Sequence, residues 1–146
     1  MIRSNNSAYV PQDLALVEYW TALENVMFPL YVQSVPYGVR RQQAHDALTT
    51  LGLARHDQQR LSQLSGGQLQ RVANARAIAG TPQVLLADEP TRQLDSTSSK
   101  NVMDIIHELS RASNIGAIVT TCDPIVVARA DRVLEIHDGR VLPVGQ

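Results

Sequence analysis

Apolar positions along this chain recur at two different periods. Residues 8–10 (AYV) look like the end of a short strand, broken by the polar PQD at 11–13. In TALENVMFPL, Leu23, Val26, Met27 and Leu30 fall on one helical face, and Thr21 with Glu24 forms a T-x-x-E capping box. Pro36 and Gly38 mark a turn before a second helix, with Ala44, Ala47, Leu48 and Leu51 inward and Gly52 as its stop. After the polar connector RHDQQRLSQ, Ser65 and Gln68 make a second capping box. Leu69, Val72, Ala73 and Ala77 continue an apolar face toward a stop at Gly80-Thr81-Pro82.

The period then changes. VLLA (84–87) is a continuous apolar run of strand length, as expected of a parallel strand covered on both faces. Val102, Ile105, Ile106 and Leu109 return to helical spacing, and AIVTT (117–121) predicts another buried strand. Asp123 and Pro124 suit the N-cap and first position of a short helix through Ala130, and RVLEI with HDGRVLPV predicts a hairpin turning at Asp138-Gly139. Strands alternating with helices imply an α/β layered domain with a parallel sheet. The sequence has no internal repeat, low-complexity tract or heptad run.

A length of 146 residues fits one domain, and 44% apolar content supports a core. Thirteen basic residues against 14 acidic ones give no basic field to gather nucleic acid or anionic lipid. MIRSNNSAYV lacks the apolar core of a signal peptide, and the apolar stretch around VMFPLYV is far too short to span a bilayer, so a cytoplasmic chain is expected. The single cysteine, Cys122, excludes an internal disulfide.

Two patches carry chemistry. In LSGGQLQR, a helix N-terminus with unpartnered N–H groups follows Ser65, and Gly66 and Gly67 let a ligand approach the backbone. An anion is the natural occupant, although a plain N-cap with a flexible lead-in accounts for SGGQ by itself. In VLLADEPT, Asp88 and Glu89 emerge at the carboxyl end of a buried strand, where open α/β sheets bind ligands. There an aspartate can hold Mg²⁺ and a neighbouring glutamate can orient or deprotonate water; a strand ending in solvated acid reads the same way.

Order and spacing separate these alternatives. YVPQD, LSQLSGGQLQRVANARAIAG, VLLADEPTRQLDS and VTTCDP with ADRVLEIHDGRV resemble the later part of an ATP-binding cassette (ABC) ATPase of the bacterial lipoprotein-release and macrolide-export type, over about residues 8–142. The resemblance implies a partial P-loop NTPase fold: a parallel-sheet core (8–12 and 64–146), an inserted helical subdomain (13–63) and a C-terminal hairpin. It makes Gln12 the Q-loop glutamine, a contact for Mg²⁺ and γ-phosphate next to the membrane subunit. Leu64, Ser65, Gly66, Gly67 and Gln68 become the signature that faces ATP. Asp88 becomes the Walker B magnesium ligand, Glu89 the general base and Asp95 the D-loop aspartate. The cofactors implied are ATP and Mg²⁺; the partners are a second cassette, identical or not, and a membrane-spanning permease holding the chain at the inner face of the membrane. No nucleic-acid partner is expected: the chromosome and DNA-repair branch of the family needs long coiled-coil arms between Q-loop and signature, and none is present.

Two departures bear on activity. A P-loop needs G-x-x-x-x-G-K-[ST], yet the one lysine, Lys100 in TSSKNV, has no glycine near it, and eleven residues before Gln12 are too few for the strand, P-loop and helix of the family. The adenine-stacking aromatic is missing with them. Where the family has Thr-His-Asp, this chain has Thr121-Cys122-Asp123, and a thiol cannot replace the imidazole that contacts the γ-phosphate. His107 and His137 are placed as surface residues rather than substitutes, and Cys122 reads as a small filler at a strand end. The expectation is a truncated ATP-hydrolysing subunit that completes a composite site with a partner; the alternative is a non-catalytic remnant or docking module. Loss of the neighbouring P-loop strand should also leave the strand at 117–121 with an open apolar edge.

Overall fold

A computed structural model describes residues 7–92, 94–112 and 114–143. Gln93 of the QLDS motif and the polar start of the chain at residues 1–6 lie outside the described residues. The elements run β1 (Ser7–Val10), α1 (Ala22–Val32), α2 (Tyr37–Thr50), a 3₁₀ turn (Leu61–Gln63), α3 (Gly66–Ile78), β2 (Val84–Asp88), α4 (Ser96–Ala112), β3 (Gly116–Thr120), α5 (Pro124–Val127), β4 (Leu134–His137) and β5 (Arg140–Pro143).

Both capping boxes form. Thr21 Oγ1 accepts from the Glu24 amide at 3.1 Å while the Glu24 carboxylate accepts from the Thr21 amide at 2.8 Å. The polar connector then meets part of the remaining demand of the α1 N-terminus: Ala22 N–H donates to the Gln59 carbonyl and Leu23 N–H to that of Asp57. Pro36 is the N-cap of α2, so Pro36 and Gly38 open this helix rather than forming a separate turn; proline's fixed φ suits the entry. Gly52, at φ +73°, ends the segment.

Strands β1, β2 and β3 form a parallel sheet with β2 in the centre, and β4 pairs with β5 in an antiparallel hairpin. Asp138 and Gly139 both have positive φ, as a two-residue type I′ turn demands. The register pairs Ala8 with Leu85 and Leu85 with Ala117, and sets Tyr9, Leu86 and Ile118 in one row. Two buried clusters result. Helices α1 and α2 pack on Val72 and Ala75 of α3 and on Ala79, its C-cap. Ala73 and Ala77 of the same helix pack on Val10, Leu85, Ala87, Val102 and Ile106. Helix α3 is thus the shared wall between the helical segment and the sheet.

One expectation fails in an informative way. The strands at 84–87 and 117–121 read as covered on both faces, but among the described residues helices cover only one. Leu85 and Ala87 are buried, whereas Tyr9, Leu86 and Ile118 are 55%, 37% and 59% exposed. Four of the five residues of β3 are exposed. The apolar run records a sheet meant for two covers, and these residues supply one. The helix after Asp123 is also shorter than expected, closing at Val127 with turns through Ala130.

Candidate functional site

Because β1, β2 and β3 are parallel and in register, their carboxyl ends open on the same side of the sheet. Gln12 follows β1 in a turn where Leu14 N–H donates to the Pro11 carbonyl at 3.1 Å. Asp88 ends β2 on the open face; Thr120 Oγ1 donates to its Oδ1 at 2.5 Å, and the Tyr9 hydroxyl stands 3.5 Å from Oδ2. Glu89 has φ +45°, a conformation costly for a non-glycine residue, held by its N–H donating to the Thr120 carbonyl at 2.9 Å. Its carboxylate turns toward the end of β3, where Oε1 accepts from Cys122 N–H at 3.0 Å and Oε2 lies 3.4 Å from the Thr121 hydroxyl.

A second cluster forms at the N-terminus of α3. Ser65 Oγ accepts from the Gln68 amide at 3.3 Å, and the Gln68 side chain accepts from Ser65 N–H at 2.8 Å. Ser65 and Gly66 are exposed and Leu64 is buried beneath them. A cavity of about 530 Å³ opens there, lined by Ser65, Gly66, Gly67, Gln68, Arg71 and, from the segment before α4, Asp95 with Leu94. Asp95 accepts from Thr97 N–H at 2.9 Å and so caps α4. The exposed N-terminus, its helix dipole and the Arg71 guanidinium all favour an anion in this cavity.

The predicted residues therefore gather in two groups. Gln12, Asp88 and Glu89 lie at the strand ends, and Leu64–Gln68 with Asp95 surround the cavity at α3. The donor set at the strand ends suits Mg²⁺ as it is held on a nucleotide: one carboxylate, Asp88, and one amide oxygen, Gln12, leaving the other positions to water and phosphate. Among the described residues no three His, Cys, Asp or Glu side chains converge on a metal position, and a phosphate-borne Mg²⁺ does not need them.

Several residues escaped the sequence reading. Thr120 and Thr121 tie down the two carboxylates, and Tyr9 flanks Asp88. A hydroxyl pair at the end of an apolar run was the available sign. Cys122 is exposed; its backbone amide, not its thiol, contacts Glu89. His107 sits on α4 and His137 is exposed beside the hairpin turn. Lys100 lies on the exposed side of α4.

Residues 2–92 match the family described as ABC transporter. The lipoprotein-releasing system ATP-binding protein LolD of Maricaulis maris is 42% identical over 142 residues, 97% of this chain and 62% of that protein. The probable export ATP-binding/permease protein MacB of Pseudomonas entomophila is 43% identical over 141 residues, again 97% of this chain but 21% of the relative. The chain thus spans about a fifth of the one and under two thirds of the other. Among solved structures, the dimeric post-hydrolysis state of the ATP-binding cassette MJ0796 bound to ADP and Pi superposes with a TM-score of 0.83 at 34% identity, covering 99% of this chain and 66% of that one. With Ser65, Gly66 and Gly67 opening α3 and Asp88 closing β2 of a parallel sheet, the chain belongs to the ABC transporter family, within its ATP-binding cassette.

Proposed function

We propose that this chain is part of an ATP-binding and ATP-hydrolysing subunit of an ABC transporter, active by completing a composite ATP site with a partner cassette. The observation that carries the reading is the pair of separated half-sites. The α3 N-terminus opens, with Asp95, onto its own cavity, while the 146 residues contain no G-x-x-x-x-G-K-[ST] to grip a triphosphate. A phosphate over Ser65, Gly66 and Gly67 would therefore be gripped from the other side by a P-loop outside these residues. The dimeric state of MJ0796 bound to ADP and Pi supports such a pairing.

The open sheet face supports the reading too. Tyr9, Leu86 and Ile118 form an apolar row leading to Asp88 and Thr120, and a segment bearing a P-loop, joined to this chain or supplied by another, would cover it. At such a completed site Glu89 would take a proton from water as the water oxygen bonds the γ-phosphorus and the bond to the bridging β–γ oxygen breaks, releasing ADP and phosphate. Bound Mg²⁺ would neutralise charge on the phosphate oxygens, with Asp88 and Gln12 as its protein contacts. Glu89 must first leave Thr121 and Cys122, whose present hold favours the second reading, a non-catalytic remnant or docking module.

A relative described as an export ATP-binding/permease protein supports a membrane-spanning permease as partner. A hollow of about 530 Å³ between α1 and β1, lined by Tyr9, Phe28, Val32 and Arg76 among others, is apolar enough to seat a segment of a membrane-spanning permease. Such docking would hold the chain at the cytoplasmic face of the membrane; among the described residues no helix is long and apolar enough to cross it. The test is complementation. Adding this chain to an intact cassette whose own signature has been disabled should restore part of the ATPase. Absence of rescue in a verified complex replaces this reading with the remnant.

A further inference from the structure

Immediately after Gln12 the backbone does something costly. Leu14 and Ala15 are consecutive non-glycine residues with φ of +61° and +45°. Each residue in the left-handed region costs roughly 1–2 kcal/mol, because Cβ crowds the following carbonyl. A local hydrogen bond from a short polar side chain often compensates such residues, and neither leucine nor alanine has one.

The compensation comes from α3. Arg76 reaches over, and its two terminal nitrogens donate separately to the two strained residues: Nη1 to the Ala15 carbonyl and Nη2 to the Leu14 carbonyl, both at 2.5 Å. The left-handed turn is what aims both carbonyls at one guanidinium. Arg76 is half-buried at the edge of the hollow between α1 and β1. Burial pushes its pKa down and Asp13 pulls it back up. The planar fork matters here, since a lysine ammonium on a flexible stem cannot span two successive carbonyls in the same way.

We propose that Arg76 is a positioning residue that locks the strained loop behind Gln12 to the signature helix, fixing Gln12 relative to Ser65 and Gly66. The lock lies on the helix that both buried clusters share. Helix α3 carries the signature at its N-terminus and Arg76 in its last turn, so displacement of Gln12 is referred to the same rigid element that presents the anion site. Breaking the fork leaves the loop free to relax Leu14 and Ala15 into ordinary backbone and carry Gln12 away.

The experiment is a two-residue cycle on the full chain, read by amide hydrogen exchange. Leu14 N–H, bonded to the Pro11 carbonyl, reports the loop, and the amides of α3 report the scaffold. Arg76→Lys should speed Leu14 exchange about tenfold or more, as loss of one charge-assisted bond implies, with α3 unchanged. Ala15→Gly removes the Cβ crowding at an exposed position, so in the Arg76→Lys background it should recover about fivefold of that loss, and alone it should slow Leu14 exchange by a similar factor. Unchanged Leu14 exchange in Arg76→Lys overturns the proposal; so does equal acceleration through α3, which would make Arg76 a general packing residue. Should Arg76→Lys fail to fold, Ala15→Gly alone still decides by the sign of its effect. The catalytic consequence rests on the composite-site reading: in a complemented ATPase, Arg76→Lys should lower kcat with little change in KM for ATP, and Ala15→Gly should restore part of it. The exchange cycle needs no ATPase, so it can fail or succeed independently of that reading.

Discussion

Gly66→Asp should stabilise the isolated chain and abolish its use in a composite site. Gly66 is the first residue of α3, and a Cβ built there meets no atom within 4 Å. Its φ lies outside the left-handed region, so a side chain costs no backbone strain. Replacing glycine recovers up to about 1 kcal/mol of helix propensity, less at a first position, and a carboxylate in the first turn gains about 0.3–1 kcal/mol from the helix dipole. The net is roughly +0.5 to +1 kcal/mol, or about 1–4 °C in Tm for a domain of this size. In the cavity the sign reverses. The open space that makes the substitution harmless to the fold is the space a γ-phosphate would enter. Two unit charges about 4 Å apart repel by about 4 kcal/mol at an effective dielectric of about 20, a loss near a thousandfold before bulk is counted. Thermal unfolding of the lone chain and ATPase of the complemented cassette, at matched complex formation, read the two effects. A fall in Tm would show that the α3 N-terminus is not free as described, and rescue equal to wild type would show that no phosphate sits there.

Two buried asparagines should respond oppositely to the same change. Asn25 accepts from Val17 N–H at 2.8 Å and donates to the Val17 and Thr21 carbonyls, so Asn25→Leu should cost about 3 kcal/mol in denaturant unfolding, whereas Asn74, whose amide nitrogen and oxygen have no partner among the described residues, should gain about 1–3 kcal/mol as Asn74→Leu; a loss at Asn74 would imply an internal water bonded there. Ile118→Lys, on the open edge strand, should reduce self-association in sedimentation without lowering Tm, and unchanged association would place the sticky surface elsewhere. Cys122→His should confer no ATPase on the lone chain, since its thiol is exposed and Glu89 is held by the backbone amide; turnover above background that disappears on Glu89→Gln would contradict this.

What could be read from residues alone was whatever local chemistry decides. The boxes at Thr21 and Ser65, the proline entry at Asp123-Pro124 and the Asp138-Gly139 turn each follow from a few adjacent side chains, and each formed where the pattern put it. The place of Asp88 and Glu89 at the carboxyl end of β2 was legible for the same reason, since they stand next to the strand that aims them. Long-range demands were not. Nothing beside Arg76 in sequence announces that its partners are two carbonyls 61 and 62 positions away, and the threonines that hold Asp88 and Glu89 lie 32 positions from them. The sheet shows the limit most clearly. Hydrophobicity at Leu86 and Ile118 says that a residue is meant to be covered, but not by what, and these residues leave that face bare. The bare face and the bare α3 N-terminus are the same kind of observation, one apolar and one polar. Each is a surface whose chemistry specifies an occupant, and Asp88, Tyr9 and Thr120 place the acidic end of the apolar row where an occupant carrying phosphate-binding groups would bring its charge.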